Sequence, residues 1–178
     1  MSFQPKTIKE LLDWSYANLA AYILALSQNP PGYTRVCWMT RSRIFKGLQT
    51  GKMTRQSIYN NERAKLKNKD ICAYCGATNI PLTLDHLFAK SKQGSDSADN
   101  FVYCCQSCNS SKKNLDYFRW IEITGRMINP DVVERYLKNA YSFCEQCGLL
   151  NTPIDEAPNN LPFDIKAIPC YYNIVHHE

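Results

Sequence analysis

Two cysteine pairs, Cys72-Ala-Tyr-Cys75 and Cys105-Gln-Ser-Cys108, restrict the fold of this chain more than any other feature. Two residues between cysteines make a tight knuckle whose sulfurs point at one ion. Two such knuckles complete a tetrahedral four-sulfur Zn²⁺ site with Zn–S near ~2.3 Å. A closed sulfur shell has no open position for water, so this zinc is expected to be structural. Gly76, just after the first knuckle, suits the tight turn. The 29 residues between Cys75 and Cys105 exceed a zinc-ribbon gap, so further structure is expected between the knuckles. The rival description is four reduced cysteines packed in a core. Cys104 competes with Cys105, but its spacing to Cys108 is one residue too long. The chain has nine cysteines, an odd number that cannot all pair, and Met1 to Leu12 holds charges without an apolar signal run. Reduced thiols in an intracellular, cytoplasmic protein are therefore expected, nucleoid-associated if the source is bacterial.

The 178 residues suffice for one compact domain or a small domain with a helical addition. No apolar run approaches the ~20 residues that span a membrane. The net charge of +5 is uneven. Between Arg35 and Lys69 stand ten cations (Arg35, Arg41, Arg43, Lys46, Lys52, Arg55, Arg63, Lys65, Lys67, Lys69) against Glu62 alone. Such a stripe is either a solvated helix face or a surface that releases counterions on meeting phosphates. The second description makes Arg41, Arg43, Lys46 and Arg55 candidate nucleic-acid contacts. DNA is the expected partner, with RNA as the alternative.

Thr7 to Ser27 reads as an amphipathic helix. Thr7 and Glu10 form a capping box, Ile8, Leu11, Leu12, Leu19, Tyr22, Ile23 and Leu26 fall at helical spacing, and Asn29-Pro30-Pro31-Gly32 ends it. A further helix is expected over Thr54 to Leu66. Leu82, Leu84 and Leu87 interleave with polar residues around Asp85-His86, which predicts a short strand or hairpin. Lys90 to Asn100 is a polar loop. Asn109 to about Thr124 and Asp131 to about Cys144 read as helices, and four prolines after Asn151 predict an extended tail. The fold class is thus α+β, mainly helical. Three segments are expected: a basic helical region over 1–69, a zinc-stapled core over 70–125 and a helical extension over 126–178 that braces the core or dimerises.

Inside and just beyond the zinc loop lie Asp85-His86, Asn100 and Asn109. A neutral imidazole can take a proton from an attacking water. A scissile phosphate also needs a hard cation, and a carboxylate and an amide oxygen suit Mg²⁺ or Mn²⁺. The run C-x2-C, Leu84-Asp85-His86, Lys90, Ser91, Gly94, Asn100, C-x2-C, Asn109 and Lys112 resembles the HNH nuclease family with its ββα-metal fold. Asn109 in the third signature position resembles the H-N-N variant of a phage junction-resolving nuclease and some restriction enzymes. The resemblance covers about Ile71 to Lys113. It implies that His86 is the general base, that Asp85 and Asn109 bind one catalytic divalent ion, and that Asn100 orients the loop and the base. Lys112 then either touches phosphate or merely sits on its helix, and Lys90 and Lys113 join the candidate nucleic-acid contacts.

Cys144-Glu-Gln-Cys147 resembles half of a second zinc site, which Cys37, Cys170, His176 or His177 would have to complete; helix-end thiols are the alternative. Two functions of different class fit these residues. One is a DNA endonuclease, of restriction, phage-defence, homing or junction-cutting type. The other is a zinc-knuckle binding module whose nuclease geometry has decayed. The presence of Asp85, His86, Asn100 and Asn109 together favours the enzyme.

Overall fold

A computed structural model describes residues 3–55 and 70–174. Their elements are α1 (Ile8–Leu26), α2 (Arg35–Gln49), β1 (Leu82–His86), β2 (Phe101–Cys105), α3 (Gln106–Lys112), α4 (Tyr117–Thr124) and α5 (Pro130–Gln146), with short 3-10 turns between them. The class is α+β and mainly helical. The chain forms two compact units: Met1–Tyr59, Ala140–Ala157 and Ile168–Glu178 in one, Asn60–Asn139 and Pro158–Ala167 in the other. The C-terminal extension is thus shared between them, and α5 is divided at Asn139. The helix expected over Thr54 to Leu66 falls mostly on residues 56–69, outside the described residues.

In the helical unit, α1 begins as its capping box dictates. Thr7 Oγ1 accepts from the Glu10 N–H at 3.2 Å, and the Glu10 carboxylate accepts from the Thr7 N–H at 3.4 Å. The Ile8 and Lys9 N–H groups, which have no partner within the helix, donate to the Thr152 and Leu150 carbonyls at 3.0 and 2.8 Å. α1 is not the amphipathic helix that its spacing predicts. It is buried on nearly every side from Ile8 to Tyr22, its polar Asp13, Ser15 and Asn18 included. Each of these has a partner: Ser15 Oγ meets the Tyr172 hydroxyl at 2.6 Å, and the Asn18 amide donates to the Trp14 carbonyl at 2.8 Å. Asp13, fully enclosed, accepts from Lys9 Nζ at 2.8 Å and Gln49 Nε2 at 2.6 Å and pairs with Arg55. α2 packs along α1, its Cys37 thiol buried with Ala21 and Ala25.

In the zinc unit, β1 and β2 pair antiparallel with Leu82 opposite Cys105 and His86 opposite Phe101. The single helix expected from Asn109 to Thr124 is two helices. Lys113 adopts a positive φ of 50° after α3, and Asp116 then caps α4, accepting at Oδ1 from the Phe118 N–H at 2.9 Å. Its other oxygen takes the Tyr136 hydroxyl at 2.5 Å and the Asp164 N–H at 3.1 Å, so one buried carboxylate joins α4, α5 and the tail. Burial pushes its carboxyl up, with those donors opposing. Phe88, Phe118 and Phe163 pack around Tyr136 to make the aromatic core, at centroid distances of 4.9, 4.7 and 6.2 Å.

Candidate active site and metal centre

The two knuckles come from different local structures. In the first, the Gly76 N–H donates to the Cys72 carbonyl at 2.9 Å and Gly76 has φ +72°, a conformation that a side chain disfavours. The second knuckle is the first turn of α3: Cys105 is the N-cap, and its sulfur accepts from the Cys108 N–H at 3.4 Å. The Ala73 N–H bonds the Tyr103 carbonyl at 2.8 Å and so ties the first knuckle to β2. The four sulfurs of Cys72, Cys75, Cys105 and Cys108 lie within 4.8 Å of one another, and Cys75 and Cys105 are 3.9 Å apart. A tetrahedron with ~2.3 Å bonds has sulfurs about 3.8 Å apart, so this donor set fits Zn²⁺.

The surroundings favour thiolate at Cys72, whereas burial pushes the Cys75 and Cys108 thiols up. Burial pushes the Cys72 thiol up, but N–H donors of Cys105, Cys75 and Tyr74 outweigh it and bring it to about 7. Arg126 reaches Cys108 Sγ at 3.6 Å while lying over the Trp120 ring. Cys104 behaves otherwise. Strand alternation places it outside the cluster, and burial followed by the Asp85 carboxylate pushes its thiol up to about 12. Among the described residues no other cysteine group could hold a metal. Cys37 lies buried at the start of α2, where the Thr34 N–H reaches its sulfur at 3.5 Å. Burial pushes Cys144 up to about 12. His176 and His177 lie outside the described residues.

The candidate catalytic residues lie on β1, on the loop that follows it and on α3. Asp85 is buried: its Oδ2 accepts from the Tyr74 hydroxyl at 2.6 Å and from Lys112 Nζ at 2.9 Å. Lys112 is fully enclosed and also donates to the His86 carbonyl at 2.8 Å. The phosphate contact considered for Lys112 is therefore corrected: its ammonium is an internal clamp between α3 and β1. Asn109 donates through Nδ2 to Thr83 Oγ1 at 3.0 Å and to the Leu84 carbonyl at 3.5 Å. Its Oδ1 takes no hydrogen bond among the described residues. His86, whose side chain is 26% exposed, lies edge-on to Phe101, with Nε2 2.8 Å from Asp96 Oδ1.

Asn100 is buried and closes the loop. It accepts from the Phe88 N–H at 2.8 Å and donates to the Phe88 and Ser95 carbonyls at 2.9 and 2.8 Å. Lys90, exposed, pairs with Asp96. Tyr74, Asp96 and Arg126 escaped the sequence reasoning. Tyr74 was legible as the residue inside the first knuckle, whereas no spacing signals Asp96 or Arg126.

The basic stripe divides by environment. Arg41 lies 4.6 and 4.7 Å from the ring centres of Trp14 and Trp38, and Arg55 sits over Tyr141 while pairing with Asp13. Both serve the interior of the helical unit, which corrects the expectation that they face phosphate. Arg43 and Lys46 on α2 are exposed, as is Lys113 in the zinc unit. Arg63, Lys65, Lys67 and Lys69 lie outside the described residues. No helix among the described residues is long and apolar enough to cross a membrane.

Residues 72–115 match the family model of HNH endonucleases. CRISPR-associated endonuclease Cas9 of Corynebacterium diphtheriae is 32% identical over 94 residues, an alignment that takes in 47% of this chain and 8% of that protein. The chain thus corresponds to a small part of that relative's length. No solved structure matches the chain. The hairpin, the four-cysteine cluster and α3 fall within the segment, residues 72–115, that matches the HNH endonuclease model.

Proposed function

We propose that this chain is a metal-dependent endonuclease that hydrolyses phosphodiester bonds in DNA, with His86 as its general base. The observation that carries this is the state of the His86 ring. It is partly open to solvent, one nitrogen is held by a carboxylate, and the other is left to take a proton. Asp85 and Asn109 are the residues that would hold the catalytic ion. The fit rests on hard oxygen donors: Asn109 is anchored by its amide nitrogen with its oxygen left over, and Asp85 keeps Oδ1 while Lys112 and Tyr74 hold Oδ2. A bound Mg²⁺ or Mn²⁺ would neutralise charge developing on the scissile phosphate.

His86 accepts one proton from water as the water oxygen bonds to phosphorus and the opposite P–O ester bond breaks. The departing oxygen takes a proton from solvent. Lys112 fixes the His86 backbone, and Asn100 fixes the loop beneath the ring. The four sulfurs hold the structural Zn²⁺ and take no part in the chemistry. Exposed cations such as Arg43, Lys46 and Lys113 hold the DNA backbone.

The test is single-turnover nicking of supercoiled plasmid in Mg²⁺ or Mn²⁺. A positioned base contributes ~10²–10⁴ in rate, so His86→Ala should fall by that factor with DNA affinity and zinc content unchanged. Undiminished cutting by His86→Ala would remove it as the base. A wild-type protein that binds DNA but cuts in neither metal would be a binding module.

A further inference from the structure

The loop between β1 and β2 carries a carboxylate that the reaction as described does not use. Asp96 is exposed, yet Oδ1 lies 2.8 Å from His86 Nε2 and Oδ2 pairs with Lys90. An exposed pair is ordinarily weak because long side chains wander and water screens them. Here the backbone under Asp96 is fixed from several directions. The Asn100 amide donates to the Ser95 carbonyl at 2.8 Å, the residue before Asp96. The Gly94 N–H donates to the Ala89 carbonyl at 3.1 Å. Gly94 also packs directly on the chain, for a Cβ there would lie 1.8 Å from the Phe88 carbonyl oxygen. Ser95 and Ser97 hydroxyls meet at 2.8 Å on either side of the carboxylate. The imidazole also lies edge-on to Phe101, at a ring-centre distance of 4.5 Å.

We infer that Asp96 is a positioning residue that selects the tautomer of His86, accepting the Nε2–H so that Nδ1 is the nitrogen left to take the proton from water. This rests on the assignment of His86 as the base. A neutral imidazole carries one N–H, and an unpartnered ring divides it between the two nitrogens. A carboxylate can only accept, so it holds the hydrogen on the nitrogen it faces and prevents the ring from rotating. Among the described residues, Asp96 faces the ring, Lys90 is bound to Asp96, and the Lys112 ammonium meets the His86 carbonyl. The proton balance is unchanged. Nδ1 gains the water proton, Nε2 keeps its own, and the resulting imidazolium faces the Asp96 carboxylate.

The test uses the full chain loaded with zinc, with Asp96→Ala and Asp96→Asn beside wild type. Long-range proton–nitrogen NMR of the His86 ring reads the tautomer without reference to activity. Wild type should show the Nε2–H form alone, and Asp96→Ala a mixture. Asp96→Asn retains a hydrogen bond but can donate or accept, so it should fall between them. Single-turnover cleavage should drop by about 10–100-fold in Asp96→Ala, the usual cost of losing a group that orients an active residue. DNA affinity and the Mg²⁺ concentration for half-maximal rate should stay at wild-type values. An unchanged tautomer in Asp96→Ala overturns the inference, and so does a full cleavage rate. A rise in the Mg²⁺ requirement overturns it too, since that would make Asp96 a metal ligand. If His86→Ala still cuts, the assignment of the base fails, and the NMR result still reports whether Asp96 governs the ring.

Discussion

Asp13 in the helical unit and Asp85 in the zinc unit are both buried carboxylates held by a lysine, and their surroundings differ in kind. Asp13 is the centre of its unit's polar contacts, taking Lys9, Gln49 and Arg55 among α1, α2 and the segment after it. The apolar residues around it, from Ile8 to Ala25, are numerous enough to hold two helices together. Asp85 takes Tyr74 and Lys112 in a unit whose sheet is two strands of five residues, too small to be stable alone. There the hairpin and α3 meet at four sulfurs. The helical unit is stabilised by side-chain burial with a charge cluster embedded in it. The hairpin has little apolar burial of its own, so the four-sulfur cluster and the buried Asp85, Asn100 and Lys112 hold it to α3 and to its own loop.

That contrast breaks most visibly if the metal is removed. Structural zinc contributes on the order of 10 kcal/mol to folding of such an element. Cys108→Ser, or chelation of the wild type, should abolish amide protection across β1, β2 and α3 while α1 stays protected. Hydrogen exchange with zinc analysis checks this. Equal protection in the zinc-free hairpin would show that burial alone suffices there.

The converse substitution is smaller. Asp13→Ala strips the partner from the largely buried Arg55 and the partly exposed Lys9, and loss of one member of a buried pair costs about 3–5 kcal/mol. Thermal unfolding of the helical unit should fall accordingly, with one zinc per chain retained. Loss of zinc in this variant would mean that the two units are not separable in stability.

The smallest effect sharpens the division of labour. Arg43→Gln with Lys46→Gln should flatten the salt dependence of DNA binding by about 0.9 in log–log slope for each phosphate that is no longer neutralised. The cleavage rate of the bound complex should not change. An unchanged slope would make α2 a solvated face.

The parts written in local spacing were legible: the Thr7–Glu10 box, the strand around Asp85-His86, and the cysteine knuckles, whose geometry is set within four residues. The break between α3 and α4 was not, because Lys113 and Asp116 read as ordinary helix residues until Asp116 is seen collecting Tyr136 and Asp164 from far along the chain. Arg41, Arg55 and Lys112 were misjudged for a related reason. Charge alone points a cation at water or phosphate, and only the tertiary fold shows Trp14, Tyr141 or Asp85 beside it. Tyr74 lay in plain view within a knuckle, but its bond to Asp85 spans 11 residues and has no sequence period.

Cys72 and Cys108 bracket β1, the loop and β2, so a metal joining them would close that stretch into a covalent-like ring. Rings tolerate changes in circumference well, because closure entropy grows only with the logarithm of length. They also tolerate a single cut. Cleavage of the exposed stretch Ser95 to Asp99 by a protease would leave both pieces clasped through sulfur, migrating together until a chelator or acid opens the clasp. With a metal on the four sulfurs, the stretch between the strands would accept insertions, and the supply of one ion would open and reclose the ring.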